Sequence, residues 1–157
     1  MTRMRVHSFF MFCLLLGVLI LGINAVSAVS RTIYVDAEQE KVESISLKVD
    51  DEVSGRISVV GGSNNDIDFN ITDPNGEAVV PKERVSVKDF RFTASKEGTY
   101  KLHFDNSFST ERKTVTFNYD VRHYIFGIPQ EDFLVFLVMI VAVIGLLLFV
   151  ALSRPQI

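Results

Sequence analysis

Apolar and polar positions alternate with a period of two through the middle of the chain. Ile45, Leu47 and Val49 alternate in SISLKVDDE, Ile57 and Val59 in GRISVVGG, and Ile67, Phe69 and Ile71 in DIDFNITD. Further on come Val85 and Val87, Phe90 and Phe92, then Tyr100, Leu102 and Phe104, and finally Val115, Phe117, Tyr119 and Val121. This period places one face of each strand in a core and the other in water. The separators are turn chemistry, as in Asp73-Pro74-Asn75-Gly76, where Pro74 presets φ and Gly76 accepts a positive value. Seven to eight short strands in this rhythm predict an all-β fold, a jelly-roll-like β-sandwich. Val85 and Val87 are odd-numbered whereas Phe90 and Phe92 are even. A bulge or tight turn is therefore expected at Lys88-Asp89.

The two ends break this rhythm with continuous apolar runs. Phe9 to Ile23 is a 15-residue run preceded by Arg3 and Arg5 and followed by the small residues Val26-Ser27-Ala28. That order reads as a signal peptide over residues 1–28, an uncleaved anchor being the alternative. Phe133 to Leu152 is a run of 20 residues without a charge, about 30 Å as a helix, the thickness of a bilayer core. The division expected is a sandwich at 29–121, a juxtamembrane linker at 122–132, a transmembrane helix at 133–152 and a cytoplasmic tail at 153–157. Arg3, Arg5 and Arg154 favour the cytoplasmic side, which makes the chain a single-pass type I membrane protein with an extracytoplasmic sandwich. His123, Tyr124, Phe126 and Phe133 gather where interfacial aromatics anchor a span.

Charge and chemistry narrow the function. Residues 29–132 carry all 19 acidic residues and 13 of the 16 basic ones, a net −6 that repels phosphate backbones and argues against nucleic acid as a partner. The single cysteine, Cys13, lies in the first run, so the sandwich has no disulfide, thiolate metal site or thiol nucleophile. Asp50-Asp51-Glu52 and Asn64-Asn65-Asp66 are oxygen-rich turns without EF-hand spacing. No nucleophile elbow, phosphate loop or zinc-protease pattern occurs, and the expectation is a non-enzyme without catalytic residues, cofactor or metal. Asn70-Ile71-Thr72 makes Asn70 an N-glycosylation candidate on the wet face of its strand.

The segment FRFTASKEGTYKLHFDNSFSTERKTVTFNYDV closely resembles the closing part of the GOLD (Golgi-dynamics) domain. The matching positions are Phe90, Phe92, Gly98, Tyr100, Phe104, Asn106, Phe108, Val115 and Phe117; ITDPNGEAVV upstream resembles the family's strand, Pro-Gly turn and next strand. The resemblance covers roughly Ile45 to Val121. It implies a β-sandwich and the layout of type I secretory-pathway cargo receptors. Three features of those proteins are missing. His103 stands where the family pattern has a cysteine. Residues 122–132 replace a long coiled coil, so any oligomerisation would run through the sandwich. The tail Ser-Arg-Pro-Gln-Ile lacks paired aromatics and lysines. The resemblance thus implies a membrane-anchored module that binds a protein partner, as cargo, or a lipid, in secretory or envelope trafficking. The alternative is an accessory subunit docked on another membrane or surface-layer protein.

Overall fold

The computed structural model describes residues 29–62 and 64–153; the signal-peptide expectation, Cys13 and the end of the tail lie outside them. The chain divides into a β unit closing at Gly127 and a second unit that takes up the chain at Ile128.

The β unit contains β1 (Val29–Val35), β2 (Glu40–Leu47), β3 (Glu52–Val60), β4 (Ile67–Thr72), β5 (Ala78–Val85), β6 (Val87–Thr93), β7 (Gly98–Asp105), β8 (Lys113–Arg122) and the two-residue β9 (Tyr124–Ile125). Two four-stranded antiparallel sheets form, in the orders β1-β8-β3-β6 and β2-β7-β4-β5. The pairs 1–8, 2–7, 3–6 and 4–5 are those of a jelly roll. Within these two sheets only β4 and β5 are sequential neighbours, so nearly every turn of the sandwich carries the chain from one sheet to the other.

Alternation dictates this layering. In β4, Ile67, Phe69 and Ile71 are fully buried and the intervening Asp68, Asn70 and Thr72 are half-buried. Between the sheets Phe90 meets Phe69 at 5.5 Å, Phe69 meets Phe104 at 5.3 Å, and Phe104 meets Phe117 at 5.2 Å between ring centroids. These separations fall in the favoured range for aromatic pairs. The relay starts and ends in the first sheet and passes through the second. Each such ring, moved out of water, contributes on the order of 1.5–3 kcal/mol.

The expected break at Lys88-Asp89 is not there. β6 runs through both residues, paired with β3 from Ser58↔Val87 to Glu52↔Thr93. The chain turns instead at Ser86, where it crosses from β5 in one sheet to β6 in the other. Val85 is buried at the end of β5, whereas Val87 is 52% exposed on the outside of β6. The parity change thus marks a change of sheet, not a kink. Val49 also departs from its pattern, lying beyond the end of β2 and half exposed. Pro81 sits in β5, an edge strand, where its missing N–H costs no ladder bond to a central neighbour.

In the second unit β10 (Ile128–Pro129) leads into α1 (Gln130–Ser153), which begins three residues before the apolar run. Gln130–Ala151 is long and apolar enough to cross a membrane, at about 33 Å. Glu131 and Asp132 occupy its first turn, where carboxylates are favoured by the helix dipole.

One position tests the packing. A Cβ on Gly55, in the inner strand β3, would lie 2.5 Å from both the Asn118 carbonyl oxygen and the Phe90 ring. Gly55→Ala is expected to destabilise the sandwich by about 1–3 kcal/mol, the usual range for overpacking, read as a lower denaturant midpoint with unchanged slope.

Candidate functional site

The motif residues divide into rings and corners. Phe90, Phe92, Tyr100, Phe104, Val115 and Phe117 all lie in the core, with Phe92 stacked on Tyr100 at 5.5 Å. Gly98 and Asn106 act at the two ends of β7. Gly98 has φ 144°, and a Cβ there would press on the Pro74 ring at 2.7 Å. Tyr100 then turns its hydroxyl back onto the chain: it donates to the Lys96 carbonyl at 3.1 Å and accepts from the Lys96 N–H at 3.3 Å. The Gly-x-Tyr element is a corner in which the glycine admits Pro74 and the tyrosine ties down the preceding turn. Lys96 also joins Asp73 at 2.7 Å and Glu77 at 2.9 Å, and Asp73 Oδ1 accepts from the N–H groups of Asn75 and Glu77. The Lys96 hydrogen bond lowers the Asp73 pKa and outweighs the opposing effect of burial.

Asn106 is fully buried beyond the other end of β7. Its Nδ2 donates to the Asp36 carbonyl at 3.0 Å and the Glu111 carbonyl at 2.9 Å, and its own N–H donates to the Gln39 carbonyl at 2.9 Å. One side chain thereby fastens the β1–β2 turn to the loop that carries Phe108, Ser109, Thr110 and Glu111.

That loop forms one wall of a feature the sequence did not reveal, a polar recess of about 290 Å³. Asn64, Asp66, Arg84, Phe108, Glu111 and Lys113 line it. Lys113 is buried, with its ammonium 3.3 Å from Asp66, and Arg84 lies 3.5 Å over the Phe108 ring while its guanidinium grips Asp68. These residues come from separate strands and turns; their cross-strand pairing is the only signal that would have joined them. Asp66 is thus held by a lysine, and Asp51 accepts from the Lys48 N–H at 2.9 Å and lies 2.9 Å from His123 Nδ1. Among the described residues no three His, Cys, Asp or Glu side chains converge as metal ligands.

The outer faces of both sheets carry ion pairs, Arg56–Asp89 and Arg91–Glu52 on the first, but the charges are distributed differently along the rows. On β2-β7-β4-β5, registered rows bring Glu40, Asp105, Asp68 and Arg84 side by side. Lys82 reaches Asp105 at 2.5 Å and Asp68 at 3.8 Å. His103, at the family's cysteine position, places Nδ1 2.8 Å from Glu40 Oε1 and Nε2 3.0 Å from Thr72 Oγ1. It spans β2, β7 and β4. Asn70 lies on this same face, opposite His103 in register. On β1-β8-β3-β6, the rows Tyr34–Thr114–Val60 and Thr32–Thr116–Ser58–Val87 hold no charged side chain, with Tyr34 and Val60 each 64% exposed.

Fold and site together define a β-sandwich module carried on a membrane helix. The model of the family described as emp24/gp25L/p24 family/GOLD matches residues 30–132, and the chain belongs to that family. It is 34% identical to the transmembrane emp24 domain-containing protein p24beta3 of Arabidopsis thaliana over 81% of this chain and 57% of the relative. It is 34% identical to the human transmembrane emp24 domain-containing protein 7 over 69% of this chain and 49% of the relative. The chain thus spans about half the length of the curated relatives it matches.

Two measurements test these corners. Asn106→Ala strands buried carbonyls and is expected to cost about 2–3 kcal/mol of stability in denaturant unfolding. Burial pushes the Asp105 carboxyl up, but hydrogen bonds from Lys82 and Ser107 prevail and hold it at about 2. Its folded value lies below the unfolded one, so its contribution is complete above about pH 4 and lost as pH falls through about 2. Lys82→Met should raise the acid-unfolding midpoint, with a loss on the order of 1 kcal/mol at neutral pH because Lys82 is half exposed.

Proposed function

We propose that this protein is a membrane-anchored GOLD recognition module that binds other proteins in a secretory or envelope compartment, without catalysing a reaction. The observation that carries the reading is the family match over residues 30–132, which takes in the whole sandwich and the start of α1. We assign the division read from the sequence, with the sandwich extracytoplasmic, a type I orientation, and Asn70 a modifiable surface position. The uncharged outer rows of β1-β8-β3-β6 suit a protein contact. In a segment of net −6, an uncharged patch of valine, threonine and tyrosine can be desolvated without stranding a charge. Ion pairs lie on other rows, Arg56–Asp89 on this face and Lys82–Asp105 on the opposite one.

Crosslinking in native membranes, followed by affinity purification of the tagged full chain, tests the reading. Several substoichiometric protein partners are expected, and Tyr34→Glu with Val60→Glu should abolish their capture while Lys101→Glu on the other face leaves it intact. A single stoichiometric partner would point to an accessory subunit instead. Protease added to the extracytoplasmic side of sealed vesicles should cut the sandwich; protection there would reverse the orientation.

A further inference from the structure

Lys113 is the one buried cation among the described residues, with a side chain only 2% exposed. Lysine is almost never enclosed in this way unless it is paired. Here the pairing is incomplete. Asp66 Oδ1, 3.3 Å away, offsets the charge, yet it is the single acceptor within hydrogen-bonding reach of the ammonium among the described residues. An ammonium carries three N–H groups, and a buried donor left unmade is costly. Two donors are thus available to whatever enters the polar recess that Lys113 lines. The backbone keeps this spot open. Gly62 has φ 67°, and a Cβ on it would run into both the Lys113 ammonium and the Glu111 carboxylate. Those two groups flank one point without pairing to each other, and Glu111 is exposed.

We propose that the recess is a carboxylate-binding subsite that takes an acidic side chain of a protein partner. Arg84 supplies a second donor group. Its Nε and Nη2 are held by Asp68, which leaves Nη1 free among the described residues, and its guanidinium is fixed 3.5 Å over the Phe108 ring. The volume, about 290 Å³, is at the lower end for small-molecule sites and suits one side chain with a few waters. Charge balance narrows the ligand further. Asp66 and Asp68 already offset Lys113 and Arg84, and Glu111 adds a carboxylate without a partner among the described residues. An acidic group entering alone meets that repulsion, whereas a basic residue beside it would pair with Glu111. The ligand is therefore a segment with acidic and basic side chains next to each other. Lys113 precedes Thr114, and Val60 precedes the Gly61-Gly62 turn, so the recess lies beside the uncharged row Tyr34–Thr114–Val60. The inference rests on the protein-recognition reading and adds what an uncharged surface lacks, a point that selects by charge.

The full chain in detergent micelles is titrated with short dye-labelled peptides capped at both ends, and binding is read by fluorescence anisotropy. A peptide with Glu-Lys at its centre is expected to bind at least about tenfold more tightly than its Gln-Lys counterpart, the loss of one charge-assisted hydrogen bond. A Glu-Leu peptide should fall between them, and on the exposed-site variant Glu111→Gln it should match Glu-Lys. Lys113→Met combined with Asp66→Asn removes both buried charges together and should abolish the preference for Glu over Gln, with cooperative unfolding checked alongside. Equal binding of the Glu-Lys and Gln-Lys peptides would overturn carboxylate recognition. Tighter binding of a Gln-Lys peptide with a free C-terminus than of the capped Glu-Lys peptide would overturn the side-chain assignment in favour of a chain end. Absence of peptide binding, with partners still captured through Tyr34 and Val60, would overturn the subsite and leave the recognition reading standing. Loss of both would overturn the recognition reading as well.

Discussion

The sandwich depends on aromatic contacts that pass between its two sheets, because no covalent staple is available to it. Cys13 is the only cysteine in the chain, so nothing in the β unit can form a disulfide. Phe90, Phe69, Phe104 and Phe117 interlock instead, with centroid separations of 5.2–5.5 Å. Gly55 belongs to the same device: the Phe90 ring occupies the space where its side chain would be. Hydrophobic burial is non-directional, and by itself would let the sheets slide. Tilted rings in fixed register on both sheets oppose that movement.

The residues that define the family pattern complete what the rings leave undone. A jelly roll sends nearly every connection across the gap between sheets, and each crossing leaves backbone groups without ladder partners. Asn106 serves three carbonyls around one such crossing, and the Tyr100 hydroxyl serves the Lys96 backbone at another. Polar side chains inside the fold are thus spent on turns, which leaves the strands free to vary outside. His103 illustrates the variation. Where the family pattern has cysteine, its two ring nitrogens bridge Glu40 and Thr72, and this contact lies on the outer face rather than between sheets.

Alternation made the inner face of most strands legible, because burial with period two follows from local geometry. β1 was not singled out, since VSRTIYV offers only Ile33 and Val35 as well-covered apolar positions. The shift from Val85 to Phe90 was read as a bulge or tight turn at Lys88-Asp89, and parity alone cannot distinguish either from a crossing at Ser86 into the other sheet. The polar recess was illegible for a different reason. Asp66, Arg84, Phe108 and Lys113 meet only through the pairing of strands far apart in sequence. The motif residues were visible, yet the reason for Asn106 was not: a buried amide holding two turns is a property of the turns it joins.

The placement of charge gives these parts a common logic. Ion pairs occupy the outer face of β2-β7-β4-β5, where Lys82 and Arg84 pair with Asp68 and Asp105 and His103 bonds Glu40. Exposed pairs of this kind add little stability each, but they make the face costly to desolvate, which discourages docking there. The first sheet has two uncharged rows, from Tyr34 to Val87, beside its own pairs Arg56–Asp89 and Arg91–Glu52. Two uncharged rows are too small for a tight complex between free molecules, which typically needs roughly 800 Å² per partner. Attachment to a membrane changes that requirement, since confinement raises effective concentration and lets a weak surface act.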